Sequence, residues 1–229
     1  MKLIIIQARM GSTRCPGKVL HEVLGKPYLI HMVNRLKRCT YDRLLVATSL
    51  DPQNDLIETV CNKENIDIFR GSEDDVIDRY LACARKYNAN IIVRVTADCP
   101  LIVPEIVDDV AKLLANGLDY ASLNTPPHSR TYPDGCDVEV FTIDALERAN
   151  LEVNSPLFRE HLTFQFWQDP SYKIIQYPPL DKDLSNYRIT VDYPEDIEVV
   201  DFIFNTLYKT QLNGSLNQII RILDDNPGI

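Results

Sequence analysis

The sequence is short of positive charge: 24 Lys and Arg against 33 Asp and Glu leave a formal net charge of −9. Non-specific nucleic-acid binding needs a basic face to displace counterions, so that class of partner is excluded. The six cysteines, at positions 15, 39, 61, 83, 99 and 136, form no C-x-x-C pair and no spacing that suggests zinc or a disulfide framework. They read as reduced thiols of a cytoplasmic protein. No apolar run approaches the roughly 20 residues of a membrane-spanning helix, so no membrane insertion is expected. The N-terminus opens directly into a strand pattern and lacks the charged, apolar and small-residue regions of a signal peptide. H-E-x-x-H is missing, and no second histidine stands three or four residues from His161, which excludes a metalloprotease helix. Both standard phosphate cradles are absent too. A Walker loop needs four residues between its Gly and its Gly-Lys, then Ser or Thr. Here five residues separate Gly11 from Gly17, and Val19 follows Lys18. G-x-G-x-x-G does not occur.

What is present starts at the N-terminus. Leu3-Ile4-Ile5-Ile6 reads as a buried parallel strand, and it runs into a loop with two glycines and three cations, Arg9, Arg14 and Lys18. Open α/β sheets bind ligands at the carboxyl ends of their strands, where this loop would emerge. Three cations gathered in an otherwise acidic chain suit a polyanion, and a nucleoside triphosphate is the natural candidate. With 229 residues and 45% hydrophobic content, the chain can bury a full core as one domain spanning residues 1–229.

Further on, strand and helix patterns alternate. Apolar spacing predicts helices over 27–38 and 52–63 and strands over 43–48 and 66–69. An acidic helix start follows at Glu73-Asp74-Asp75, placing Arg79 within its first two turns and in reach of Asp75 at i, i+4. A strand over 90–95 ends in Thr96-Ala97-Asp98-Cys99-Pro100, which sets Asp98 on the same rim as the opening loop. Hard oxygen ligands suit magnesium, although an Asp in a turn can equally accept backbone N–H bonds. A helix over 104–116 leads to a polar, Pro-rich loop over 124–135, longer than most connections and for that reason a functional candidate. Residues 136–142 alternate as a strand with Asp137 and Glu139 on one face, either for sugar hydroxyls or a second metal, or simply as the wet side of the strand. Helices are expected over 143–150, capped by Thr142, and over 155–163, carrying Glu160 and His161. Strands over 173–177 and 188–191 follow, the second ending at Asp192. A helix then starts at Asp192-Tyr193-Pro194-Glu195-Asp196, and a last one covers 216–223. Alternation of this kind implies a parallel α/β sheet with right-handed crossovers.

Gln7-Ala8-Arg9-Met10-Gly11-Ser12-Thr13-Arg14 with Pro16-Gly17-Lys18 resembles the N-terminal signature of the cytidylyltransferase family, which includes CMP-Kdo synthetases, CMP-sialate synthetases and, most similar, spore-coat polysaccharide proteins of SpsF type. Thr96-Ala97-Asp98-Cys99-Pro100 and Asp192-Tyr193-Pro194-Glu195-Asp196 match two further segments. The resemblance implies a three-layer Rossmann-like nucleotidyltransferase fold, α/β, with a mostly parallel mixed sheet and a small loop/strand arm. It implies that Ala8, Arg9, Met10, Gly11, Ser12, Arg14 and Lys18 wrap the triphosphate, and that the segment of Gly71, Ser72 and Arg79 lies beside base and ribose, with Arg79 in reach of a phosphate or the sugar acid. Asp98 and Asp192 would hold Mg²⁺, and Arg14, Lys18 and Asp98 would be the catalytic residues. A subregion of about 120–165, with Glu160-His161, would serve the acceptor sugar and a homodimer contact. The implied activity couples CTP to a sugar or sugar acid, with release of pyrophosphate, for cell-surface polysaccharide. CTP as the base choice comes from the resemblance alone. Two alternatives stand beside it. A glycosyltransferase would want D-x-D after an apolar strand, and the one match, Asp181-Lys182-Asp183, falls in a loop. A non-catalytic nucleotide-binding protein would have lost a metal carboxylate, and both are present.

Overall fold

The computed structural model describes residues 1–114, 117–124 and 130–229. The chain begins with strand β1 (Lys2–Gln7), makes a hairpin of β2 (Glu22–Val23) and β3 (Lys26–Pro27), and then alternates. Helix α1 (Tyr28–Leu36), β4 (Arg43–Ser49), α2 (Asp55–Lys63), β5 (Asp67–Gly71), α3 (Val76–Lys86), β6 (Ile91–Thr96) and α4 (Pro104–Leu113) follow in order. The second half carries β7 (Tyr120–Ser122), β8 (Glu139–Thr142), α5 (Ile143–Glu152), α6 (Pro156–Glu160), α7 (Phe164–Gln168), β9 (Ile174–Gln176), α8 (Pro194–Thr210) and α9 (Leu216–Asp224).

The main sheet has the order β5-β4-β1-β6-β8-β7-β9. β5, β4, β1 and β6 run parallel, β8 is antiparallel to both β6 and β7, and β9 is parallel to β7. The hairpin forms a separate two-stranded sheet, with Val23 buried in the main core. On β1 the pleat sends Ile4 and Ile6 to one face and Leu3 and Ile5 to the other, and all four are fully buried. Ile4 and Ile6 join a core with α1, α2, α4, α8 and α9, while Leu3 and Ile5 pack with α3, α5 and Phe166. Truncating any of these four to Ala leaves a cavity and costs about 2–5 kcal/mol. All six cysteines are buried and unpaired. Among the described residues no helix is long and apolar enough to cross a membrane.

Several expected elements differ. The strand over 188–191 is no ladder strand: it makes one isolated bridge, Arg188 to Asp134. Its bonds go to two partners instead, Ile189 N to Asp134 O at 2.7 Å and Val191 N to Asp98 O at 2.8 Å. The helix over 155–163 breaks at His161, leaving α6 and α7. Glu73 and Asp74 precede α3 rather than start it, because Asp75 is the N-cap and its carboxylate accepts from Asp78 N at 2.9 Å. The strand over 136–142 begins at Glu139, so Asp137 lies outside it. Residues 115, 116 and 125–129, the end of one expected helix and the middle of the Pro-rich loop, lie outside the described residues. Sequence pattern misses β2, β3 and β7, which are two or three residues long. Both turn residues of the hairpin have positive φ, Leu24 at 52° and Gly25 at 72°, and a leucine there carries no turn signal.

Candidate functional site

The carboxyl ends of β1 and β6 lie side by side at the centre of the sheet, with Ala97 N donating to Gln7 O at 2.9 Å. The loop after β1 folds around the Met10 carbonyl, which accepts from Ser12 N at 2.9 Å and Gly17 N at 3.2 Å. Gly17 has φ of 73°, a backbone shape that favours glycine, and it turns the chain into a short 3-10 segment, Lys18–Leu20. The fully buried Asn54 anchors the loop from outside: its Oδ1 accepts from Met10 N at 2.8 Å, and its Nδ2 donates to Ser49 Oγ at 2.7 Å.

Lys18 is the hub. Only 8% exposed, its ammonium donates to Asp98 Oδ2 at 3.2 Å, to Asp192 Oδ1 at 3.0 Å and to the Val191 carbonyl. Asp98 reaches this point from the turn after β6. Asp192 reaches it because the Asp98 carbonyl accepts both Val191 N and Thr190 Oγ1, stitching the 188–192 strip against that turn. Gly135 makes the close approach possible: with φ of 107°, a Cβ there would lie 2.6 Å from Thr190 N.

The two carboxylates differ sharply in their surroundings. Asp192 meets Arg14 at 2.9 Å and Arg188 at 2.7 Å besides Lys18. Burial pushes its carboxyl up, but the hydrogen bonds from Arg188 and Lys18 and the charge of Arg14 outweigh that and hold it below its ordinary value. Asp196 is held low in the same way, against burial, by Arg188 and by the amides of Asp192 and Tyr193 at the start of α8. Among the described residues Asp98 has one cationic partner, Lys18, and its Oδ1 meets only the Cys99 thiol at 3.7 Å. Arg14 also donates to the Tyr193 hydroxyl at 3.1 Å and lies over its ring at 4.8 Å.

A cavity of about 340 Å³ opens over this network, lined by Arg9, Gly11, Ser12, Arg14, Lys18, Arg79, Asp98 and Asp192 among others. Eight of the sequence-derived site residues thus share one cavity, and four do not line it. Ala8 and Met10 belong to the loop's packing, Ala8 with its side chain in the core. Gly71 and Ser72 act on Arg79: a Cβ at Gly71 would lie 2.8 Å from Arg79 Cγ, and the Ser72 carbonyl accepts from Arg79 Nη1 at 2.6 Å. The expected pairing of Arg79 with Asp75 is not formed, since Asp75 meets Arg159 at 2.6 Å. Arg79 is instead buried, which pushes its guanidinium down, and its Nε has no partner among the described residues. Such an orphaned donor fits an anionic ligand.

Glu160 and His161 also reach this cavity, carried there by Arg159, which clamps Asp75, the Asn150 side chain and the Val153 carbonyl. A second cavity of about 230 Å³ adjoins the first, sharing Arg94 and His161, and is lined further by Asp137, Glu139, Phe164 and Trp167. Glu139 is not the wet side of a strand: it pairs with Arg94 and accepts from the Tyr120 hydroxyl at 2.7 Å. Arg94, Arg188 and Asn54 were missed in the sequence. Arg94 sits inside an apolar run, Arg188 precedes one, and Asn54 lies in a turn, so only tertiary contacts distinguish them. Asp181 and Asp183 line neither of these two cavities.

The donor set suits a hard divalent cation. Among the described residues no three His, Cys, Asp or Glu side chains converge, but magnesium takes one or two protein carboxylates and fills its shell with water and phosphate. Asp98 and Asp192, bridged by one ammonium, supply that number, and Asp98 holds the open oxygen.

Comparison with known proteins finds relatives over nearly the whole chain. The spore coat polysaccharide biosynthesis protein SpsF of Bacillus subtilis strain 168 is 30% identical over 234 residues, covering 98% of this chain and 95% of that one. A solved cytidylyltransferase from Leptospira borgpetersenii is 34% identical, with a TM-score of 0.90 over 99% of this chain and 94% of that one. A structure of CMP:2-keto-3-deoxy-manno-octonic acid synthetase complexed with CTP shares the Rossmann-like fold at 20% identity, with a TM-score of 0.69 over 90% of this chain and 98% of that one. The cytidylyltransferase sequence profile itself matches residues 3–199, and this chain is a nucleotidyltransferase that belongs to the cytidylyltransferase family.

Proposed function

We propose that the chain transfers a cytidylyl group from CTP to a sugar hydroxyl, with Mg²⁺ and with release of pyrophosphate, in the building of surface glycans. The observation that carries this reading is the Lys18 ammonium joining Asp98 and Asp192 beneath a cavity that the opening loop walls with Arg9 and Arg14. SpsF, a relative over nearly the whole chain, works in spore coat polysaccharide biosynthesis, which supports the biological setting.

In this reading the acceptor hydroxyl attacks the α-phosphorus and pyrophosphate leaves. Such a reaction asks the protein for positioning and charge neutralisation. Arg9, Arg14 and Lys18 hold the β- and γ-phosphates and neutralise the charge that grows on the leaving group. Arg79 turns its unpartnered Nε to the nucleotide, with Gly71 and Ser72 fixing its stem. Asp98 and Asp192 hold Mg²⁺, which when bound polarises the phosphate as a Lewis acid. The triphosphate draws Arg14 and Lys18 away from Asp192, freeing that carboxylate. The chain acts in the cytoplasm, where nucleoside triphosphates are held. It acts as a homodimer through the 120–165 region, whose Leu151 and Leu157 are 81% and 54% exposed.

Pyrophosphate release measured with each of the four ribonucleoside triphosphates, Mg²⁺ and a panel of sugars tests the reading. CTP should exceed the other three by at least about tenfold, a difference of roughly 1.4 kcal/mol in the barrier. Equal rates with all four, or turnover of a UDP-sugar donor instead, would overturn it.

A further inference from the structure

A cavity of about 680 Å³ lies apart from the nucleotide cavity and shares no lining residue with it. It is an open groove between the turn of the β2–β3 hairpin, helix α1 and the C-terminal end of α8. Helix α8 has 17 residues and is about 25 Å long, so the groove sits at the opposite end of that helix from Asp192. Its floor is aromatic: His31 packs on Phe204 with ring centroids 4.6 Å apart and donates from Nε2 to the Val23 carbonyl at 2.8 Å. Burial pushes the His31 imidazole down, so at neutral pH it offers a ring rather than a charge. Large apolar side chains stand open on the rim, with Leu24 40%, Leu212 41% and Tyr208 71% exposed. Leu24 has φ of 52°, so the turn holds a half-open leucine where the backbone favours Gly or Asn.

The charges lining the groove are of one sign. Arg35, Arg38 and Lys209 line it and no Asp or Glu does among the described residues, in a chain where 33 acids outnumber 24 bases. Arg38 is held by Glu105 at 2.6 Å and by the Asn213 carbonyl at 2.9 Å. Arg35 and Lys209 make no ion pair among the described residues. Arg35 is only 8% exposed, and it donates to two neutral acceptors, from Nε to the Ile102 carbonyl and from Nη2 to the Gly214 carbonyl, both at 2.6 Å. Buried charges are ordinarily paired. Here burial, with the charge of Arg38 beside it, pushes the Arg35 guanidinium down to about 10. A carboxylate brought into the groove would supply the counter-charge that this chain provides only through Glu105 on Arg38. Exposed apolar groups rimmed by polar ones mark interaction sites, and complementary charge selects the partner that docks on them.

We propose that this groove docks an acidic segment of a partner protein that carries a bulky apolar residue. The carboxylates of that segment face Arg35, Arg38 and Lys209, and its apolar side chain lies on the His31–Phe204 floor inside the rim of Leu24, Tyr208 and Leu212. A library of random short peptides displayed on phage is selected on the whole chain, and the enriched peptides are synthesised and titrated by fluorescence polarisation. Enriched sequences should combine Asp or Glu with Leu, Ile, Phe or Trp. Lys209→Glu, which reverses an exposed charge, and Leu24→Asn, which suits the positive φ, should each weaken the peptides severalfold, and together at least about tenfold. Circular dichroism and a cooperative melting transition show that the variants are folded. Enrichment of basic or uncharged sequences, of acidic sequences without an apolar residue, or of no sequence at all overturns the inference. So does binding that is indifferent to both variants. A sedimentation coefficient shifted by either variant assigns the groove to a second copy of the chain and overturns it too. None of these readouts measures pyrophosphate release, so the inference stands or falls apart from the transferase reading.

Discussion

Around Lys18 carboxylates and cations are matched, whereas in the cavity next door a carboxylate is left in surplus. Lys18, Arg14 and Arg188 surround Asp192, while Asp137 has one good hydrogen bond and two long ones. The difference shows in opposite displacements: Asp192 is held below its ordinary carboxyl value and Asp137 is pushed above it. A matched set is stable without ligand and can exchange its partners for phosphates. A surplus carboxylate is ready to accept from a donor on a ligand.

The largest effect expected in the matched set is at Asp98, whose Oδ1 meets only the Cys99 thiol among the described residues. Asp98→Ala should reduce pyrophosphate release by at least about 10³-fold, removing a metal ligand together with its charge. Circular dichroism should show the fold intact, and full activity would remove Asp98 from the mechanism. Next comes Lys18→Ala. The loss of one positioned cation that acts mainly in the transition state should cost about 10²–10³-fold in kcat, or about 2.7–4 kcal/mol. An unchanged kcat with a raised KM would demote Lys18 to ground-state binding.

Gly135 joins the two regions, since its backbone packs on the strip that carries Asp192. Gly135→Ala puts a side chain at φ of 107° and against Thr190 N, and should cost about 1–3 kcal/mol of stability, read by urea unfolding. It should also weaken CTP binding as Asp192 shifts, and a variant with unaltered stability would show that the strip is free to move.

The smallest effect, and the one that separates the regions most directly, is the pH dependence of two Asn variants. Asp192 has a lowered folded pKa, so its contribution to stability is full above the unfolded value and is lost as pH falls through the folded one. Asp192→Asn should therefore be less stable than the parent at neutral pH and approach it in acid. Asp137 has a raised folded pKa, so its contribution is full below the unfolded value and is lost as pH rises through the folded one. Asp137→Asn should match or exceed the parent at neutral pH, with that advantage fading in acid. Melting temperatures across pH 3–8 check both; the same sign for the two variants would erase the contrast.

The parallel half of the sheet was legible because its signals are local. Leu3-Ile4-Ile5-Ile6 is a continuous buried run, and the helices after it repeat their apolar residues on one face. The antiparallel flank was less so. β9 was expected over 173–177 and is found at Ile174–Gln176, but β7, three residues long, was missed, and the 188–191 run is held by separate bonds to Asp134 and Asp98, a pattern that no periodicity encodes. At the site, Arg9, Arg14, Lys18, Asp98 and Asp192 could be named because each stands in a motif or just past a strand. Arg94 and Asn54 could not, because their partners Glu139 and Met10 lie 45 and 44 residues away, and Arg188, although four residues from Asp192, is set in place by Asp134, 54 residues away.

By itself, the sequence determined the alternation of strands and helices, the opening loop with its cations, and the rim to which Asp98 belongs. These come from hydrophobic period and from the rule that ligands meet parallel strands at their carboxyl ends. Only the tertiary structure decided how the charges pair. It turned Arg79 from Asp75 toward the cavity, gave Asp192 three cations and Asp98 one, and spent Arg94 on Glu139. The physical reason is that an ion pair depends on a few ångströms of separation and on shielding from water, which are set by elements far apart in the chain.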